Sequence, residues 1–226
     1  RPRPRTDPAL RDDVSIPADP SPDDRAEDAA LKRAIRTLAD NREGAASFDE
    51  HVIPIRFIRT PKAGNLLASV PVAMLMSDEV ILFVPDERDD ALQLLVTVEE
   101  VGESALTDRY IARFPEPEHV RWAEMWIDAG RLNEFVFDGD ALMIPNPLDP
   151  LETDLLRALN DDTQTLRRAT AQRSAREVEH PVAVGVDPLG VDVRARFGIV
   201  RLPFERESLD ETSARASIDE ILRSAR

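Results

Sequence analysis

The chain has 226 residues, enough to bury one large core or two small ones, and a formal net charge of -15 from 44 acidic and 29 basic residues, which argues against a nucleic-acid surface. It contains no cysteine, so disulfides, thiolate metal sites and cysteine nucleophiles are excluded together. No apolar run approaches the ~18 to 20 residues of a membrane helix, so a cytoplasmic protein with no membrane partner is the expectation.

Residues 1–22 repeat Pro, Asp and Arg with almost no large apolar side chain, a composition that predicts a disordered tail. Ser21-Pro22-Asp23-Asp24 then has the form of a helix start, with Ser as N-cap, Pro at the first helical position and an acid three residues after the cap. Leu31, Ile35 and Leu38 share one face of that helix, which is expected to end near 41–44. From Val52 the apolar period falls to two. This predicts strands over 52–59, 66–76, 79–84 and 91–101, with a turn at 61–65, a hairpin around Ser77-Asp78 and a polar loop at 85–90.

Two helical pieces, 107–114 and 120–127, are expected either side of Pro115-Glu116-Pro117. The second carries Trp122 and Trp126 four apart, a spacing that suits a core or dimer face. Strands over 131–137 and 141–144 flank Asp138-Gly139-Asp140, an Asp-Gly hairpin signature. The proline-rich run 145–150 marks a boundary. Leu151, Leu155, Leu156, Leu159 and Leu166 then stripe one long helix reaching about Ala175.

The stretch 181–204 specifies its structure most tightly. Val182 to Val186 reads as a strand, and Asp187-Pro188-Leu189-Gly190 as a turn. Val191, Val193, Ala195 and Phe197 alternate with Asp192, Arg194 and Arg196, which predicts one buried and one wet sheet face. After Gly198, Val200, Leu202 and Phe204 oppose Ile199 and Arg201, and a helix follows over 208–226. The fold class expected is α+β: an antiparallel split β-barrel domain over 23–147, then a small three-stranded sheet packed by helices over 148–226.

This order resembles the pyridoxamine phosphate oxidase-like, flavin-binding split barrels that carry a small C-terminal domain, as haem-utilisation proteins and the chloroplast glutamyl-tRNA reductase-binding protein do. The matching elements are Leu159-Asn160-Asp161-Asp162, the "GxDxxGxDxR" pattern from Gly185 to Arg194, Arg201-Leu202-Pro203-Phe204 and the closing Ala225-Arg226. They cover roughly the last third of the chain. Over the barrel the likeness rests on strand order and on the Arg-Tyr-x-Ala-Arg-Phe-Pro insert at 109–115.

The resemblance implies a homodimer with flavin mononucleotide (FMN) or haem held between subunits. This chain departs from it where the chemistry sits. The two histidines that flank the Leu-Asn-x-Asp element in such proteins are here Ala158 and Thr163, neither of which ligates iron or shuttles a proton at neutral pH. Where flavin-binding members carry a His-Thr-x-Asn-type segment, this chain has the acidic loop 85–90. Like charges ~4 Å apart repel by a few kcal/mol at intermediate dielectric, so the loop is a poor cradle for a phosphate.

Arg56, Arg59, Lys62, Ser69 and Ser77 are the cations and hydroxyls nearest barrel strands, hence the candidate flavin-phosphate ligands. Among His51, His119 and His180, each beside a loop, His180 is the first candidate for a haem axial ligand and His119 the second. Asn160 and Asp162 are expected to brace the long helix against the sheet. The acidic clusters 86–90 and Asp161-Asp162 offer oxygen ligands for Ca²⁺ or Mg²⁺ without the spacing of a recognised metal loop. Two functions stay open: a non-catalytic binding or regulatory protein of tetrapyrrole metabolism serving a protein partner, or an FMN- or haem-dependent oxidoreductase.

Overall fold

The computed structural model describes residues 21–119 and 121–225, so the expected tail lies outside it as far as residue 20. Helix α1 (Pro22–Asp40) begins as its sequence requires: Ser21 Oγ accepts from Asp24 N, and the Asp24 carboxylate accepts from Ser21 N. Its Ala30, Ala34 and Leu38 are fully buried against the barrel core, while Lys32 and Asp28 pair on the wet side.

The chain continues as β1 (Glu43–Phe48), β2 (His51–Arg59), β3 (Leu66–Val70), α2 (Val72–Leu75), β4 (Val80–Val84), β5 (Leu92–Val101), α3 (Ala105–Arg113), β6 (Arg121–Leu132) and β7 (Phe135–Asp138). Strand order is β3-β2-β1-β4-β5-β6-β7, and β3 also pairs with β6, which closes six antiparallel strands into a barrel. Closure removes the exposed edges that would otherwise invite pairing. One edge of β6 is shared: β3 pairs with its first residues, from Arg121 to Met125, and β7 with its last, from Ala129 to Leu132.

Several local expectations are corrected here. Strand β1, built from Gly, Ala and Ser between two charged or aromatic ends, was not expected. The hairpin around Ser77-Asp78 does not form. Instead β3 pairs with β2 and β6, while β4 lies between β1 and β5, with the short helix α2 between them in the chain. Residues 121–127 are strand rather than helix: Ala123, Met125 and Ile127 point into the barrel while Trp122, Glu124 and Trp126 alternate with them. A spacing of four puts residues on one face in either periodicity, which is why the tryptophans misled. The final barrel hairpin turns at Asn133-Glu134, with Asn133 at φ 55°, and Asp138 instead caps a 3-10 turn over Gly139–Ala141.

The C-terminal part comprises α4 (Glu152–Asp161), α5 (Thr163–Ser174), β8 (Val182–Asp187), β9 (Gly190–Ala195), β10 (Gly198–Pro203) and α6 (Glu211–Ser224), with sheet order β10-β9-β8. The single long helix expected over 151–175 is broken at Asp162, whose side chain accepts from Thr165 N and caps α5. Asn160, at the end of α4, docks on β8: its Nδ2 donates to Ala183 O at 3.0 Å and its Oδ1 accepts from Ala183 N at 2.8 Å. Asn160 braces its helix against the sheet as expected, whereas Asp162 serves as the cap of α5 at the break in the expected helix.

Apolar side chains gather in a barrel core containing Phe57, Leu82 and Met125 and in a second core containing Leu159, Val193, Phe204 and Ile218. A small third cluster, Ile58, Leu67, Tyr110 and Phe114, lies under α3 and is joined by Ile199 of β10. Both faces of the sheet β8–β10 are therefore largely covered, with helices on one side and the barrel with α3 against part of the other. Asp192 and Arg201, expected at the wet face, are only 1% and 7% exposed, whereas Phe197, expected in the core, is exposed beneath Arg176. Among the described residues no helix is long and apolar enough to cross a membrane.

Candidate functional site

The ionisable side chains most withdrawn from water meet where the barrel faces the three-stranded sheet. Asp192, in the middle of β9, lies at the centre. Its Oδ2 accepts from Arg42 Nε at 2.9 Å and Arg113 Nε at 3.2 Å, and its Oδ1 accepts from Arg201 Nη1 at 3.1 Å. Asp187, ending β8, accepts from Arg42 Nη2 at 3.2 Å and from Arg201 Nη2. Glu152, opening α4, accepts from Val186 N at 3.4 Å, and its Oε2 lies 3.0 Å from Arg109 Nη2. Arg109 also donates to Asp149 at 2.6 Å. Arg42 Nη1 donates to the carbonyls of Ala39 and Asn41 at 2.8 Å, satisfying acceptors that the end of α1 leaves open.

Taking one charge out of water costs several kcal/mol, so such a cluster persists only when its members satisfy one another. Burial alone would raise the Asp192 carboxyl, but Arg42, Arg201 and Arg113 overcome it and hold the group far below the carboxylate range. Asp187 is lowered on the same balance, burial being outweighed by Arg201 and Arg42. For Arg201, burial works against the charge and the two aspartates more than restore it, so its pKa is raised. Glu152 goes the other way: burial outweighs Arg109 and Arg113 and raises its pKa.

Beside this cluster lies a cavity of about 50 Å³, walled by residues of both units including Arg59, Ile58, Pro61, Asn146 and Leu189. Ligand pockets for cofactors run to roughly 300–1,000 Å³, so the space suits neither FMN nor haem. A wider, open groove of about 510 Å³ runs between α3, α4 and β8, past Asp108, Leu156 and Asn160.

The candidate phosphate ligands do not converge. Arg56 pairs with Glu43 and Glu118, each at 3.2 Å, and lies over the Phe114 ring. Ser69 is 1% exposed, with its Oγ 3.4 Å from the Tyr110 hydroxyl. Lys62 is exposed, and Ser77 donates to Asp49 and to Glu79 O. Arg59 alone faces the cavity, its Nη2 donating to Leu142 O at 3.3 Å and Ile144 O at 3.1 Å. As a set these residues do not fit a flavin phosphate.

The histidines are equally dispersed. His51 opens β2 beside the Phe48 ring, His119 is half-buried before β6 with Nε2 unpartnered, and His180 is an exposed residue at φ 48° before β8. Among the described residues no group of three or more His, Asp or Glu side chains is arranged to hold a metal ion. Of the tryptophans, Trp122 packs edge-on against Tyr110 at 5.1 Å. Sequence reasoning missed Arg42, Arg113, Asp187, Asp192 and Arg201 as a unit. The available signal was a strand pair bearing two aspartates, Asp187 and Asp192, in a chain whose cations are almost all arginine.

No family model matches this chain, and no curated protein matches it. Among solved structures it is similar to a protein of unknown function from Agrobacterium tumefaciens str. C58, at 15% identity over 92% of this chain and 100% of that one, with a TM-score of 0.67. It is also matched by a haem-binding protein from Mycobacterium smegmatis, at 15% identity over 87% of this chain and 97% of that one, with a TM-score of 0.40. The first of these likenesses supports the fold.

Proposed function

We propose that this is a non-catalytic binding protein of the split-barrel type, connected with haem or tetrapyrrole metabolism, which acts as a homodimer toward a protein partner. The observation that carries the reading is the use to which the barrel's cations are put. Arg42, Arg109 and Arg113 are neutralised by carboxylates of the C-terminal part, Arg56 by Glu43 and Glu118, and Ser69 is closed off against Tyr110. A flavin phosphate needs several donors converging on one point, and these side chains are committed elsewhere. The connection with tetrapyrroles comes from the C-terminal motif, 159–162 and 185–194, whose polar residues here serve structure.

Absorption from 350 to 600 nm, recorded on purified protein with FMN or haem added, tests the proposal alongside size-exclusion chromatography with light scattering. The expected result is a dimer that leaves the FMN spectrum unshifted and catalyses no reduction of added haem or flavin. Stoichiometric FMN binding with turnover of a reductant would replace the proposal with the oxidoreductase alternative.

A further inference from the structure

Arg59 differs from the other arginines around the cavity. Arg42 and Arg113 are matched by Asp187, Asp192 and Glu152, and Arg109 by Asp149 and Glu152. Among the described residues, no carboxylate oxygen lies within 4 Å of the Arg59 guanidinium, whose Nη2 donates to two backbone carbonyls. Its Nε is buried without a hydrogen-bond partner, unlike the other buried side-chain nitrogens of the cavity wall. The neighbouring Asn146 is already engaged at both ends of its amide, donating to Val186 O at 2.8 Å and accepting from Leu148 N at 3.0 Å. Burial, the largest influence, lowers the Arg59 pKa to about 10, with Arg42 and Arg201 adding to the fall and Asp187 opposing it. A buried donor with no acceptor costs free energy that an incoming acceptor restores, and more so when the donor is charged.

We propose that the cavity beside Arg59 is a binding site for a small monocarboxylate, which pairs with the Arg59 guanidinium and whose short apolar chain lies against Ile58, Pro61, Ile144 and Leu189. The volume of about 50 Å³ holds roughly three or four water-sized groups, the bulk of a carboxylate carrying one or two carbons. A doubly charged oxyanion is disfavoured, because Glu152, Asp187 and Asp192 border the same space and Glu207 stands at its exposed rim. The apolar wall favours a carboxylate with a methyl or ethyl tail over chloride or water. This site is independent of the binding role proposed above.

The test uses the full chain at pH 7 and fixed ionic strength, with acetate, propionate, phosphate or chloride as the balancing anion. Acetate and propionate are expected to raise the thermal midpoint saturably over chloride, and to shift the Arg59 Nε–Hε resonance in a ¹⁵N spectrum with the same midpoint. Arg59→Met is expected to weaken carboxylate affinity by at least about tenfold while keeping the far-UV spectrum. Glu207→Gln, which removes the competing carboxylate at the rim, is expected to tighten it. Equal effects of acetate and chloride, a saturable rise that survives in Arg59→Met, or phosphate binding more tightly than acetate would each overturn the assignment. If Arg59→Met fails to fold, the wild-type resonance decides: no movement under acetate refutes the site.

Discussion

The guanidinium of Arg113 lies directly over the bare Cα of Gly185, so close that a Cβ built on Gly185 would fall within it. Arg113 cannot simply swing aside, because its Nε donates to Asp192 at 3.2 Å and its Nη1 donates to Arg109 O at 3.1 Å. Gly185 thus gives the barrel's helix α3 room to reach the strand that carries its counter-charge. Gly185→Ala should destabilise the protein by about 1–3 kcal/mol, the usual cost of overpacking. Urea unfolding followed by far-UV circular dichroism will measure it, and the double variant with Arg113→Ala should lose less than the sum of the two single losses if displacement of this side chain is the cause.

Asp192 accepts from three arginines and is almost fully buried, so its neutralisation leaves Arg42, Arg113 and Arg201 short of their common acceptor. Breaking a buried ion pair by removing one partner costs roughly 3–5 kcal/mol, and Asp192→Asn is expected to fall in that range. Denaturant titration of Asp192→Asn, Arg42→Met and the double variant should give a double-variant loss well below the sum of the singles. Strict additivity would show that the pairing carries no stability.

Acid should act on this network in two opposing ways. Asp187 and Asp192 have depressed pKa values, so their stabilisation is complete above the unfolded-state value of about 3.9 and is lost as pH falls below it. Glu152 has a raised pKa, so the folded state binds its proton more tightly and its contribution declines as pH rises above about 4.3 through the folded value. Stability measured by denaturant from pH 3 to 7 should therefore drop steeply below pH 4. Glu152→Gln should remove the declining limb just above that point and leave the acid-side drop in place.

Asn160 completes the backbone pairing of β8 at Ala183, where the register with β9 shifts before Gly185. Asn160→Ala leaves both the N–H and the C=O of Ala183 without that partner. A loss of about 1–3 kcal/mol is expected. Amide hydrogen exchange should accelerate at Ala183 in this variant while the barrel amides of β4 and β5 keep their protection.

Much of the fold was legible because local patterns and tertiary packing agree. The Ser21 capping box, the strands β2 and β5, and the meander from Val182 to Phe204 follow from capping chemistry and a period of two. Strand β1 was not legible, since Gly44, Ala45 and Ala46 have low strand preference and are held by β2 and β4 on either side. Asp138-Gly139 carries the stronger turn signature, yet the chain reverses at Asn133-Glu134, where the register of β6 keeps Leu132 and Phe137 buried. For the site, Arg59 was singled out as an anion ligand and does face a cavity. The buried cluster beside it was invisible, because Asp192 and Arg201 occupy strand positions that alternate with apolar residues and read as solvent-facing until the barrel is laid over them.

The charges in that cluster are divided unevenly along the chain: Arg42, Arg59, Arg109 and Arg113 come from the first two thirds, while Glu152, Asp187 and Asp192 come from the last, where Arg201 is their one cationic companion. The last portion of this strongly acidic polypeptide therefore offers the barrel more carboxylates than it can neutralise itself. During synthesis the barrel segment emerges bearing a cationic patch with no counterpart, and only when the final strands leave the ribosome does a matching anionic surface appear to draw the pieces into one orientation.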